Sequence, residues 1–351
     1  MAWLDVLSRR RLHEILARYA DLRIGVIGDL ALDAYWYADM TRSLLSRETP
    51  RFPRPIVREA FSAGAGANVA TNLKVLGAGQ VAVLSVLGED WRASILASVL
   101  ASSGVAVDHL IASPQRSTSA YIKPILQGYD SQQEDSRLDF ENSTPLSPAL
   151  EDALISAVER LLPDLDSLLI ADQMTTNGII TRRVRDALNG LAAQRRAIPF
   201  VVDSRHSIGL FQHMILKPNR MEALRAVAPE RDSHAVPRDD LTAIGLSLSA
   251  QSDRPAYVTL GEEGVLVCAE GQSRYLPAAP VRPPLDVVGA GDAFIAALAA
   301  SLAAGATPWE TGAIASLAAA VVVEKLNQTG TASPDEILAR FDRATASDAR
   351  P

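Results

Sequence analysis

The stretch DVVGAGDAF, residues 286–294, sets three small residues and a carboxylate at the mouth of an apolar run, AFIAALAASLAAG (293–305), that reads as a helix. The N-terminus of a helix exposes backbone N–H groups without partners and carries the positive end of the dipole. Glycines let a phosphate come close to that backbone. Gly289, Ala290 and Gly291 therefore form a candidate anion hole. Asp292 would repel a resting phosphate, so its position makes chemical sense for a general base that removes a proton from an attacking hydroxyl. A plainer reading competes: glycine and aspartate are common before helices, and Asp292 is then a favourable first-turn charge.

Outward from that stretch, strands alternate with helices. RIGVIGDL (23–30), VAVLSVLG (81–88), SLLIAD (167–172), IPFVVD (198–203), MILKP (214–218) and AYVTLG (256–261) are short buried β-runs. WRASILASVLASSG (91–104) and TRRVRDALNGLAAQRR (181–196) read as helices. This pattern predicts an α/β fold with a mostly parallel sheet and helices on both faces. Ligands in such folds sit at the carboxyl ends of the strands. Residues 34–60 and 115–142 break the alternation. They are either two long surface loops or a small β-lid, and lids exclude water during transfer chemistry. With no repeat or linker visible, residues 1–351 read as one domain plus that lid.

Composition narrows the function. The chain has 351 residues, 48% of them apolar, and a net charge of −7. That charge points away from nucleic acid and from membrane surfaces as partners. Cys268 is the single cysteine, which excludes an internal disulfide or a cysteine metal cluster and suits a reducing cytoplasm. No leader is visible at the N-terminus, and the apolar region 293–323 is interrupted by GATPWETG, too short on either side to span a bilayer. The chain is therefore expected to be cytoplasmic.

Further motifs follow the strands. LKPNRMEA places Asn219 and Glu222 three residues apart on one face of a helical turn. An amide and a carboxylate so placed could order a magnesium shell through water; the alternative is a capping box. VTLGEEGVLV offers Thr259, Gly261 and Gly264 in a turn open enough for a nucleotide, or a simple β-hairpin turn. SAGAGANVATNL brings Gly64, Gly66 and Asn68 to the start of a helix, a weak glycine pattern by itself. The histidines are scattered without ligand spacing, and His206 alone lies near a strand end.

In this order GDLALD (28–33), GAGANVA (64–70), KPNRME (217–222), VTLGEEG (258–264) and DVVGAGDAF resemble the PfkB, or ribokinase-like, sugar kinase family, from about residue 20 to about residue 335. The resemblance implies a Rossmann-like domain with a β-lid, and phosphorylation of a sugar hydroxyl with ATP and Mg²⁺, K⁺ being a further candidate cofactor. It implies Asp292 as the catalytic base and Gly289, Ala290 and Gly291 as the anion hole. Asn219 and Glu222 would organise metal and phosphates, Glu222 through water, and Thr259, Gly261 and Gly264 would lie along the nucleotide. Asp33, Gly64 and Asn68, with Asp29 as a further candidate, would bind the sugar.

Within the family the chain is most similar to kinases of D-glycero-β-D-manno-heptose 7-phosphate. GDLALDAYWYADMTR (28–42), SRETPRFPRPIV (46–57), QQEDSRLDFE (132–141) and the tail VVVEKLNQTGTASPDEI (321–337) carry that likeness. Such kinases often continue into a nucleotidyltransferase domain; no His-x-Gly-His motif is present here, so a stand-alone kinase is expected. The group's Gly-Gly-Ala-Ala-Asn reads Gly64-Ala65-Gly66-Ala67-Asn68, its threonine before GAGD is Val288, and Arg47 stands where proline is expected. These departures bear on the sugar, not on the chemistry. A sugar phosphate needs cations, for which Arg42, Arg47, Arg51, Lys123, Arg137 and Arg205 are candidates. The competing readings are a kinase of another sugar or nucleoside and a non-catalytic sensor. The family implies a homodimer joined through the lid.

Overall fold

The computed structural model describes residues 5–230, 236–326 and 330–348. Residues 327–329, inside the tail that carries part of the likeness above, lie outside the described residues. In chain order the strands are β1 (Arg23–Gly28), β2 (Leu30–Asp39), β3 (Ile56–Ala65), β4 (Gln80–Gly88), β5 (Leu110–Ser113), β6 (Ser119–Gln127) and β7 (Gln132–Glu134). They continue with β8 (Leu138–Phe140), β9 (Ser167–Asp172), β10 (Phe200–Ser204), β11 (Ile215–Leu216), β12 (Ala256–Thr259), β13 (Val265–Ala269) and β14 (Gln272–Leu276).

Nine strands make the main sheet in the order β14-β13-β12-β11-β10-β9-β1-β4-β5. Pairing is parallel from β12 to β5 and antiparallel in β12–β13 and β13–β14. This is the mostly parallel α/β arrangement that the alternation of strands and helices predicts. Parallel strands covered on both faces carry unbroken apolar runs rather than an alternation with polar residues. In β9 all six positions are buried. The two-residue period then sends Leu169 and Ala171 to one core and Leu168 and Ile170 to the other. Helices Gly66–Val75, Ala290–Ala303 and Pro308–Val322 close the first face; Pro148–Leu161, Arg182–Gln194 and Arg238–Ser252 close the second. Helix Ala290–Ala303 is buried on every side from Ala293 to Ser301, which is why it is apolar all round rather than amphipathic.

A second sheet has the order β3-β2-β6-β7, with β8 also on β6. The two segments that break the alternation supply it. β2 begins at Leu30 and β3 runs to Ala65, beyond the bounds 34–60, because the apolar start of β2 follows directly on β1 and is hidden within one continuous run. By register, Asp33 and Tyr35 of β2 lie beside Tyr121 and Lys123 of β6 on one face. Among the described residues no helix is long and apolar enough to cross a membrane.

Candidate active site

The site forms where the main sheet's strands end. Asp29 follows β1, Gln173 follows β9, Arg205 follows β10, Lys217 and Asn219 follow β11, and Gly261 follows β12. This is the carboxyl edge at which ligands bind in such sheets. The second sheet's face with Asp33, Tyr121 and Lys123 forms the other wall. Between them is a cleft of about 340 Å³. It brings together Asp33, Gly64, Asn68, Lys123, Arg137, Asn219, Glu222, Gly289, Gly291 and Asp292, residues spread over most of the sequence.

The turn before helix Ala290–Ala303 is set locally. Asp286 Oδ1 accepts from the Val288 N–H at 3.0 Å, and the Ala290 N–H donates to the Val287 carbonyl at 3.2 Å. Gly289, at φ 81°, supplies the left-handed residue that this turn requires. No side chain caps the helix. The N–H groups of Gly291 and Asp292 have no protein acceptor among the described residues. They are open donors of the candidate anion hole, whereas the Ala290 N–H is engaged in the turn.

Asp292 is an acid of the helix's first turn, as the plainer reading has it, but its side chain caps no helix amide. Its carboxylate accepts from Asn68 Nδ2 at 2.6 Å and from Gln173 Nε2 at 3.3 Å. Burial pushes it up to about 6, against the Asn68 hydrogen bond, and the charge of Asp203 adds to the rise. A base at that value is ionised near neutral pH yet keeps affinity for a proton. Beneath it, Lys217 Nζ stands 3.3 Å from Asp203 Oδ1, both groups being buried. Burial alone would push the ammonium toward neutrality; the charges of Asp203, Glu222 and Asp292 hold it above its ordinary range. A Cβ added at Gly291 would stand 3.8 Å from Lys217 Nζ, so the cation lies next to the anion hole.

Several expected residues turn out differently. Asn68 does not present a free amide: Nδ2 holds Asp292, and Oδ1 accepts from Asn72 Nδ2 at 3.2 Å. Asp29 is not set to meet a hydroxyl, because its oxygens accept from the amides of Gln173, Met174 and Ile179 at 3.1, 2.8 and 2.8 Å. It shapes the loop that delivers Gln173. Asn219 and Glu222 form a capping box on helix Arg220–Val227, the alternative left open above, while both also line the cleft. Burial, then the charge of Asp203, raises Glu222. Arg42, Arg47 and Arg51 are exposed on the β2–β3 loop, outside the cleft lining. Among the described residues no cluster of three or more His, Cys, Asp or Glu side chains could hold a metal.

Asp33 is where it was expected, buried, with Oδ1 3.7 Å from Lys123 Nζ. Burial raises its pKa and Lys123 opposes the rise. A Cβ at Gly64 would come within 3.2 Å of the Asp33 carboxylate, so a larger residue there would crowd it. Lys123 also lies over the Tyr35 ring, and Arg137 over the Tyr121 ring. Gln173, Asp203 and Lys217 were not singled out by the sequence reading. Each is a polar residue at the end of a buried parallel strand, and that placement was the available signal.

Adjoining the anion hole is an apolar cleft of about 280 Å³. Thr259, Gly261, Gly264, Ala290 and Gly291 line it with Leu285 and Phe294. The turn at Gly261–Glu263 joins antiparallel β12 and β13, so it is a hairpin turn as well as a wall of this cleft. A flat apolar ring fits such a space, with few polar groups to orient it.

Comparison with known proteins places the chain in a family. Residues 46–336 match the pfkB family of carbohydrate kinases. The chain belongs to that family. As a pfkB carbohydrate kinase it is a phosphotransferase with a hydroxyl acceptor. It is 32% identical over 337 residues to the bifunctional protein HldE of Trichlorobacter lovleyi, covering 95% of this chain and 65% of that protein. With the bifunctional protein HldE of Geotalea uraniireducens it shares 33% over 343 residues, 96% of this chain and 66% of that one. The chain thus spans just under two thirds of these curated relatives. Phosphofructokinase-2 from Escherichia coli in complex with fructose-6-phosphate superposes with a TM-score of 0.69 at 19% identity, covering 92% of this chain and 99% of that one. Arabidopsis thaliana ribokinase complexed with ribose and ATP gives 0.64 at 18%, covering 91% and 98%. At that identity these structures speak to the fold.

Proposed function

We propose that this sugar kinase takes a sugar phosphate as acceptor, D-glycero-β-D-manno-heptose 7-phosphate, and converts it to the 1,7-bisphosphate with ATP and Mg²⁺. The observation that carries the reading is one cleft that joins the half-buried Asp292 carboxylate and open helix amides to Lys123, Arg137 and Arg205 on the acceptor side. The motifs quoted above for the heptose phosphate group support the particular sugar.

In the proposed reaction the acceptor hydroxyl meets Asp292 and loses its proton to it as the new oxygen–phosphorus bond forms. The bond from the γ-phosphorus to the bridging oxygen breaks in line, and ADP leaves. The amides of Gly291 and Asp292, the helix dipole and the Lys217 ammonium stabilise charge on the transferred group. Asn68 and Gln173 hold the base, Asp33 takes sugar hydroxyls, and the apolar cleft beside Gly261 and Phe294 takes the base of the nucleotide. Glu222, with Asn219, would hold Mg²⁺ through water, where it supplies charge neutralisation of the phosphates. The second sheet acts as the lid. Phe52, Ile56 and Val57, all exposed on it or its loop, support pairing of two copies through that sheet.

The test is ADP release from the purified protein with heptose 7-phosphate, fructose 6-phosphate, ribose and adenosine, with and without K⁺. Turnover with the heptose phosphate at least about tenfold above the others in kcat/KM supports the reading. A preference for ribose or adenosine refutes it.

A further inference from the structure

We propose that a partly enclosed cavity continuous with the cleft is the subsite for the acceptor's own phosphate ester, remote from the hydroxyl that reacts, and that Arg205 is the residue that meets it; this rests on the sugar-phosphate reading above. The cavity holds about 100 Å³ and shares Tyr121, Arg137, Gln173 and Arg205 with the main cleft. That space is ample for a phosphate group, since a single water needs only about 10–15 Å³ by the same measure. Its wall includes Thr175, Thr176 and Ser117, a polar lining. Gln173 belongs to both spaces and donates to Asp292, so an acceptor whose hydroxyl meets the base reaches the cavity from within the cleft.

The charges around the cavity are unequally engaged. Arg137 is held by Asp139 through two hydrogen bonds of 2.6 Å and lies over Tyr121. Arg116 is 8% exposed and donates only to neutral groups, the carbonyls of Thr144 and Asn177, while its Nε has no partner. The carboxylate that acts on it, Asp29, already accepts three amides. A buried cation without an ion-pair partner is unfavourable unless an anion arrives. Glu141, the remaining carboxylate of the lining, is exposed. Arg205 is likewise exposed, and its guanidinium makes no hydrogen bond or ion pair among the described residues. Yet it lines both spaces, and its charge acts on Tyr121 and Glu222. Of the cations on the acceptor side it is the one with its whole donor fork open, and that fork matches a phosphate ester.

Wild-type protein, Arg205→Met and Arg205→Lys are assayed with ATP and two matched pairs: heptose 7-phosphate against the heptose, and fructose 6-phosphate against fructose. Arg205→Met raises KM for the phosphorylated member about tenfold or more, the effect of losing charge-assisted hydrogen bonds. Its kcat and its KM for ATP move by less than about threefold, and Arg205→Lys recovers part of the loss. A rise in KM for ATP instead places Arg205 on the nucleotide phosphates and overturns the assignment. An unchanged KM, with the wild type still preferring phosphorylated sugars, overturns the subsite and leaves the sugar-phosphate reading standing. A wild type that prefers the unphosphorylated members overturns both.

Discussion

Replacing Asp292 by asparagine separates catalysis from stability in opposite directions. The amide keeps the shape and an oxygen for Asn68 Nδ2, which now lies 2.6 Å from the carboxylate. It removes the proton acceptor, so kcat falls by about 10² to 10⁴. The carboxyl stands at about 6 against an ordinary 3.8, chiefly through burial. Its folded-state pKa is raised, so the folded form binds the proton more tightly than the unfolded chain. Stability is therefore lost as pH rises from about 4 to about 6, and at pH 7 the ionised group costs about 3 kcal/mol, from 1.36 kcal/mol per pKa unit. Asp292→Asn relieves up to that amount, and the variant melts higher at pH 7 but gains little at pH 4. In the wild type kcat drops as pH falls through about 6, because the base must be ionised; in the variant that break is absent. Steady-state kinetics between pH 5 and 8 and thermal melts at pH 4 and 7 check both halves. Near-wild-type turnover, or a break near 6 that persists in the variant, would refute the general-base argument.

Other substitutions test other parts of the site. Lys217→Met leaves Asp203 buried without its ammonium and should cost about 3–5 kcal/mol in chemical denaturation as well as lowering kcat; adding Asp203→Asn should recover part of the stability and none of the turnover. Asp29→Asn turns an amide group toward at least one backbone donor, that of Ile179, and should lower stability by about 1–3 kcal/mol; an unchanged melting point with a raised acceptor KM would return Asp29 to the sugar. Ala65, at φ 53° and ψ −135°, occupies a backbone region that glycine prefers. Ala65→Gly should therefore stabilise by about 1 kcal/mol, a rise of about 1–3 °C in Tm, and a fall in Tm would contradict the strain.

The parallel sheet was legible because its strands are apolar without alternation, and the candidate base because GAGD precedes an apolar helix. The partners of that base were not. Asn68 and Asp292 are 224 positions apart, and their bond depends on packing between helices Gly66–Val75 and Ala290–Ala303. Gln173, Asp203 and Lys217 stand singly after separate strands and become a group only once the strand order places β9, β10 and β11 side by side. Asp29 misled because an aspartate after the first strand has the same one-letter pattern whether it meets a sugar or three amides of a loop some 145 residues away. The capping box at Asn219 and Glu222 has the spacing expected of a phosphate site, so spacing alone could not separate the two. Ala65 exchanges places with the glycine expected there, and only the backbone angle reveals the consequence.

The most direct test of the central claim is ³¹P NMR of heptose 7-phosphate incubated with MgATP and the wild-type protein. The account predicts one new sugar phosphate resonance growing in step with ADP, with the 7-phosphate signal retained, and neither change with Asp292→Asn on the same timescale. ATP left intact with heptose 7-phosphate, while an unphosphorylated sugar gains a phosphate under the same conditions, would contradict it.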